Sequence, residues 1–508
     1  MIEATEAPRR GLLAPLGRLN RRTAPPLLIY LVAGAAGFPA IAETFWVRNS
    51  LGLSPQDLLA LAAWLTVPWT LKMVIGHMVD TVPILGSRRR AYVLLGAALQ
   101  VAANLALAAA AAGMTAPVPA ETAYVAASLA AVIGLVVQDS VADAMTTEVV
   151  DRTEPDGTPR PTGVVQAELG DVQVLGRVAL MGGAFAVAGA GGWLAAIWPA
   201  QVIFLLAALL PLPALLAAFL LEEGRAAEPA DGPDPRVLWG GLAFGLAMTA
   251  IGLTRPPFAE EIGFLLTLAV LLALLRVTVA AVPAETRRAM AAAALIIFAF
   301  RAAPLPGPAL QWWQIDVLGY GQGFFGTLGQ LGTGLAIAGA LLLGGRIVRW
   351  PLGSVFIWLT VLNAAFMLPS IGMLFGLHEW TAAHLGFGAH AIGLVDTAFS
   401  APLAQLAMIP MLTLIALHAP EGRRATWFAL MASLMNLALQ AGAIVSRALN
   451  AVFVVERGDY AALPALVIAV TLVGLAGPLL VIAAFRQRLD RPGDVTTSSR
   501  AGAASAGH

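Results

Sequence analysis

The sequence predicts an all-α membrane protein built as two related six-helix halves with an inserted two-helix hairpin, about fourteen transmembrane helices in all. Three observations predict it. Hydrophobic residues make up 59% and charged residues only 12% of 508 positions, about half the charged share usual in a soluble domain. Apolar stretches of roughly 20–30 residues recur, long enough to cross a hydrocarbon layer of about 30 Å at 1.5 Å per residue. Landmarks of the first half return in the second at one fixed offset. Hydrocarbon offers no water to backbone groups, so the apolar stretches must be helices. The period-two alternation of barrel strands is absent.

Taken in order, residues 1–24 carry Arg9, Arg10, Arg18, Arg21 and Arg22 without a short apolar core and cleavage site. They read as a cytoplasmic tail and not a signal peptide, because a full span begins near Pro25. Pro, Gly and charged clusters then mark off spans at about 25–47, 55–76, 91–113, 121–150, 163–190 and 193–221. An acidic, Pro-rich linker (222–236) leads to a hairpin of two spans, 237–254 and 258–282. The second half holds 287–310, 321–345, 350–376, 387–417, 424–454 and 461–485. Residues 486–508 are polar and rich in Gly, Ala and Ser, a composition that predicts disorder.

Arginine fixes the sidedness. With the N-terminus inside, 22 arginines fall in inner segments and only Arg48, Arg255 and Arg457 in outer ones, the bias expected of cytoplasmic loops. Both termini are then cytoplasmic and the chain a multi-pass protein of the cell (inner) membrane, with a monomer favoured. The repeat pairs Pro39 with Pro306, Trp46 with Trp313 and Leu51 with Leu318, each 267 positions apart. Leu135-Val136-Val137-Gln138-Asp139 in the fourth span likewise matches Leu394-Val395-Asp396 in the twelfth. Duplicated six-helix halves with a solute site near the midplane are the plan of the major facilitator fold. On this plan 25–221 and 287–485 are the halves and 237–282 is an insert, even in number so that sidedness is kept.

Several classes of function are excluded. Zero net charge gives no field for nucleic acid. With no cysteine there are no thiolate metal sites or cysteine nucleophiles. His384 and His390 share an outer loop without further ligands, and no catalytic or phosphate-loop motif appears. No enzyme, metal or cofactor is expected. The loops leave no room for a nucleotide-binding domain, so ion gradients are the evident energy source.

The turn after the second span reads Gly76-His77-Met78-Val79-Asp80, then Gly86-Ser87-Arg88-Arg89-Arg90. A carboxylate at a helix C-terminus is misplaced unless cations lie nearby. Asp80 with Arg88, Arg89 and Arg90 reads as a cytoplasmic gate, or as a cluster that sets topology. Pro68-Trp69-Thr70-Leu71-Lys72 leading into this turn, Gln138-Asp139-Ser140-Val141-Ala142-Asp143-Ala144, Ala303-Pro304, Ala419-Pro420-Glu421-Gly422, and Trp427-Phe428-Ala429-Leu430-Met431-Ala432-Ser433 with Asn436 follow in order. Together these landmarks, over roughly 25–485, resemble the folate–biopterin transporter family of the major facilitator superfamily. The resemblance implies a transporter; members differ in solute, among them folates, pterins and, in some, S-adenosylmethionine. The hairpin at 237–282 departs from the family's twelve-helix plan, and the loops are short, as in bacterial members.

An ionisable side chain inside the bilayer costs several kcal/mol by insertion scales, so each is a functional candidate. They are Glu43, Lys72, Asp139, Asp143, Asp171, Arg177, Arg276, Arg301, Asp396 and Arg447. Asp139 and Asp143 are four apart on one helical face, and carboxylates so close in a low dielectric repel until one takes a proton. They read as a proton-coupling pair, or as a structural pair neutralised by Lys72 or Arg177. Asp396 can accept paired hydrogen bonds from a pterin ring, or cap a neighbouring helix. Arg301 and Arg447 can hold an anionic group bidentately, or pair with Asp396 or with carbonyls. Arg276 reads as snorkelling, and Glu43 as an outer gate or a wetted acid. Phe45-Trp46 and Trp312-Trp313 read as an outer aromatic belt, with stacking of a flat heterocycle as the alternative. The expectation is a secondary active transporter, coupled to protons, of a small organic solute such as folate or a pterin. A carrier of another solute, or a membrane scaffold on the same fold, is the alternative; a scaffold would pair its buried charges and line no cavity.

Overall fold

Backbone groups with no water to bond must bond to one another along the chain, and helices are what the protein forms. The computed structural model describes residues 17, 19–221, 234–280, 282–347, 350–418 and 424–489. Among the described residues, eleven helical segments are long and apolar enough to cross a membrane: α1 (Ala24–Ser50), α2 (Pro55–Thr81), α3 (Arg90–Ala111), α4 (Ala120–Glu148), α5 (Glu168–Ala195), α6 (Ala200–Leu220), α7 (Pro235–Thr254), α11 (Leu352–Leu374), α12 (Ala389–Ile415), α13 (Trp427–Val452) and α14 (Leu463–Phe485). At the three other expected places stand α8 (Ala259–Val279), α9 (Ala284–Arg301) and α10 (Gln322–Ile347). Most of the tail 1–24, most of the linker 222–236, the tail from 490 and the Ala419-Pro420-Glu421-Gly422 motif lie outside the described residues.

Proline and glycine cut the spans more often than the apolar pattern reveals. A turn at Ala36–Pro39 interrupts α1. The ninth span, expected over 287–310, stops at Arg301 and restarts as a short helix, Pro308–Asp316. Pro304 and Pro306 donate no backbone hydrogen bond, and Gly307 adopts φ +68. These two breaks fall at Pro39 and Pro306, positions the repeat pairs. The fifth span runs further than expected, because Ala190–Ala195 is helical and the turn comes at residues 196–199 before α6. Gly189 and Gly192 read as punctuation in sequence. In the structure they admit a neighbouring helix: a Cβ on Gly192 would meet Gly326 Cα of α10 at 2.5 Å. Small residues that let helix backbones approach are how membrane helices associate.

The chain divides into two compact units. The first comprises Met1–Gly52, Leu71–Thr249 and Gly321–Gln330. In it α1 crosses α5 so closely that a Cβ on Gly34 would meet Leu180 O at 1.9 Å, and one on Gly183 would meet Leu31 O at 2.0 Å. Ile29, Val32, Val93, Val141, Met145 and Ala217 form its core. The second comprises Leu53–Thr70, Ala250–Tyr320 and Leu331–His508. Ile296, Ile297, Phe356, Trp427 and Met431 are buried there, with the Phe300 and Phe356 rings edge to face at 5.4 Å. The aromatic belt is not where the sequence placed it. Trp46 is 7% exposed, and Trp312 and Trp313 are 3% and 5% exposed. Position near a helix end gives depth in the bilayer but not the direction a ring faces.

Candidate functional site

Turns at Thr66 and Leu71 interrupt α2 on either side of the short run Val67–Thr70, and Lys72, in the first unit, opens a new helical run. Asp139 and Asp143 project from α4 one turn apart. Lys72 Nζ donates to Oδ2 of both carboxylates, to that of Asp143 at 2.6 Å. From α1, the Tyr30 hydroxyl donates to Asp143 Oδ1 at 2.5 Å. The side chain of Asp139 is 14% exposed and that of Asp143 50%, so the cluster is closed behind Asp139 and open in front of Asp143. Arg177 of α5 acts on Asp139 through its charge but is exposed and makes no ion pair with a described carboxylate. A cation shared by two acids, with a second cation idle beside them, can exchange partners when a proton or an anion arrives.

Glu43, on the second run of α1, accepts a hydrogen bond from the Tyr124 hydroxyl of α4 at 2.8 Å. The two stations on these helices are mirror images: acid on α1 and tyrosine on α4 here, tyrosine on α1 and acid on α4 at Asp143.

The turn between α2 and α3 gathers around buried Arg89. Its guanidinium donates to Asp80 Oδ1 at 2.8 Å, to Val79 O at 2.8 Å and to both oxygens of Glu148. Burial alone would weaken its charge, but Glu148 and Asp80 outweigh this and push its pKa above the ordinary arginine value. Arg90 donates to the carbonyls of Ala218 and Leu221 at 2.9 and 2.8 Å, satisfying the end of α6. Arg88 is half-buried in the same turn. Glu148 was not foreseen. Its signal was charge balance, since three arginines faced a single acid.

In the second unit, Arg301 ends α9 where the chain unwinds, and Asp396 lies on α12. Arg301 Nε and Asp396 Oδ1 are buried without hydrogen-bond partners in the described protein. Both residues are otherwise half-buried, and a polar atom buried without a partner is costly unless something else completes it. Arg447 of α13 is held differently, at 2.8 Å from Glu260 and 3.8 Å from Glu261, both on α8. The sequence offers Asp396 or carbonyls as its partners and not these acids, because nothing in it tells how α8 lies against α13. A cavity of about 330 Å³ opens in this unit, lined by Phe300, Asn363, Phe366, Ser400 and Pro478 among others. Among the described residues, no group of three or more His, Asp or Glu side chains converges to ligate a metal.

The sequence model of the BT1 family matches residues 33–499. The "Folate-biopterin transporter" of Synechocystis sp. is 28% identical over 412 residues, 81% of this chain and 71% of its own length. "Probable folate-biopterin transporter 4" of Arabidopsis thaliana is 28% identical over 200 residues, 39% of this chain and 38% of its own. Among solved structures, a POT family transporter in complex with 5-aminolevulinic acid aligns with a TM-score of 0.66 at 13% identity, covering 95% of this chain and 99% of that one. A D-xylose–proton symporter aligns with a TM-score of 0.55 at 14% identity, covering 91% and 96%. These likenesses establish the facilitator fold.

Proposed function

This chain belongs to the BT1 family of folate–biopterin transporters, and on that premise we propose that it is a proton-coupled secondary carrier of a pterin- or folate-like solute. It is a multi-pass membrane transporter and not an enzyme. The proposal adds the coupling ion, the solute class, the inner membrane, cytoplasmic termini and the division into halves 25–221 and 287–485 around the hairpin 237–282.

One observation carries the coupling. Lys72 is bonded to two carboxylates at once, and the cluster opens to one side through Asp143. A proton arriving at either acid cancels that carboxylate's charge, so the ion pair becomes a weaker bond from the Lys72 ammonium to a neutral carboxyl and Lys72 is freed to bind the other acid alone. That rearrangement moves α2 against α4, which links proton loading to helix position. Arg177, exposed next to the cluster, is available to an anionic solute; Arg301 and Asp396 supply a donor and an acceptor for the second half. Within the second unit, Arg301 and Asp396 suit a molecule with an anionic group and a flat ring bearing both kinds of hydrogen-bonding group. The pairing of Arg447 with Glu260 is what a scaffold would have; the unpartnered atoms of Arg301 and Asp396, and a cavity in the same unit lined by residues of α9, α11, α12 and α14, favour the carrier.

The test is uptake of labelled pterins and folates by vesicles containing the purified protein, with and without an imposed pH gradient. Concentrative uptake that collapses with a protonophore is expected. Uptake indifferent to the gradient would remove proton coupling, and no uptake of any pterin or folate would remove the solute class.

A further inference from the structure

We propose that Glu260, on the inserted hairpin, is a gating residue of transport: a single carboxylate that staples α2 of the first half to α13 of the second. The inference rests on the two-half reading above. Glu260 stands in the first turn of α8, and its two oxygens face different helices. Oε1 accepts from Trp64 Nε1 of α2 at 3.3 Å, and Oε2 accepts from Arg447 Nη1 of α13 at 2.8 Å. Its side chain is 11% exposed. Charge-assisted bonds in such a place are stronger than neutral ones.

The surroundings agree. Along the same seam Gln56 Nε2 of α2 donates to Asn450 O of α13 at 3.0 Å. Gly252, near the end of α7, approaches the ring of Trp64, so that a Cβ there would lie at 3.9 Å. Glu261 provides a spare acceptor: its Oε1 is 3.8 Å from Arg447, and its Oε2 is buried with no partner. The hairpin thus reaches into the seam although α7 is almost wholly uncovered, with Trp239, Leu246 and Leu253 exposed.

Carriers of this fold work by moving one half against the other around a fixed site. The outer run of α2 belongs to the first half in sequence but packs with α8 and α13 in the second unit, so the carboxylate that holds it there must release one arm whenever that run follows its own half. While Glu260 holds Arg447, that arginine is unavailable to solute; when the seam parts, Glu261 can take it over and keep its charge paired. On the proposed topology the staple lies toward the outer face, so it sets how readily that face opens. Glu260 acts through Trp64 and Arg447 and is a positioning residue, with no contact to solute required.

The chain has no cysteine, so Gln56→Cys with Asn450→Cys can be introduced directly and joined by a short bis-maleimide in proteoliposomes. Into this background go Glu260→Gln, which loses the charge that holds Arg447, and Trp64→Phe, which loses only the donor from α2. Each is expected to slow crosslinking several-fold, the pair no more than either alone, and Glu260→Asp is expected to restore most of the rate. The half-saturation concentration and the maximal rate of uptake should shift together. Crosslinking at the parent rate in both single variants would overturn the proposal, as would effects that simply add. If Glu260→Gln protein does not reach the membrane, Trp64→Phe decides alone. Crosslinking needs no solute, so a failure to find a transported pterin would count against the proposed function and not against the staple.

Discussion

Asp139→Asn separates the coupling role of the Lys72 cluster from its structural role. The substitution keeps shape and keeps an oxygen that accepts from Lys72, while Lys72 retains Asp143 at 2.6 Å and Tyr30 retains its bond to Asp143. The expected loss of stability is therefore about 1–2 kcal/mol, one ion pair reduced to a bond from the Lys72 ammonium to a neutral amide oxygen. Lys72→Met would instead leave two carboxylates facing each other without the cation between them, a loss of about 3–5 kcal/mol. The functional effect should be larger than the structural one. A gradient of one pH unit is worth about 1.4 kcal/mol per proton, a tenfold concentration ratio. With one proton moved per solute, the unaltered carrier should approach tenfold accumulation, and the Asn variant should stop at equality. Exchange of labelled for unlabelled solute should survive, because it need not load and unload the proton. The assay is both fluxes in one preparation of proteoliposomes. Accumulation by the Asn variant equal to that of the parent would refute the reasoning and leave Asp139 a structural residue.

Arg89→Ala strands Asp80 and Glu148 around a buried gap and should cost about 3–5 kcal/mol, whereas Asp80→Asn leaves the Glu148 and Val79 bonds in place and should cost under about 1 kcal/mol; thermal unfolding in detergent compares them. Arg301→Lys keeps the charge but loses the planar fork, so the half-saturation concentration for an anionic solute should rise about tenfold or more, which concentration-dependent uptake measures. Gly192→Val places a side chain where a Cβ already meets Gly326 Cα at 2.5 Å and should destabilise the α5–α10 crossing by about 1–3 kcal/mol. Its lower melting temperature should be accompanied by loss of protection at Trp193, whose Nε1 donates to Thr327 Oγ1 at 3.2 Å across that crossing.

The amino-acid pattern carried the spans well because burial in hydrocarbon imposes length and composition on every helix. It also carried the family, since Pro68 to Arg90 and Gln138 to Ala144 are local strings that survive in order. Breaks were harder. Pro39 and Pro306 were read as repeat landmarks, yet only the structure shows that each sits where a helix is interrupted. Hardest were partners contributed by other helices. Asp139 and Asp143 could be placed on one face from their spacing, and Lys72 named as a neutraliser. Tyr30, on α1, had no signal, because helix periodicity fixes a face but not what faces it. The same gap hid Glu260: an acid near a helix end looks like an ordinary solvated residue until α8 is seen lying on α13.

A proton-coupled carrier of this design must bring a proton in with its solute through the Lys72 cluster. The direct measurement is external pH in a lightly buffered suspension of proteoliposomes on adding a pterin or folate. Alkalinisation with the unaltered protein, proportional to solute taken up and absent in Asp139→Asn, is the predicted result. Solute uptake with no change in external pH would contradict it.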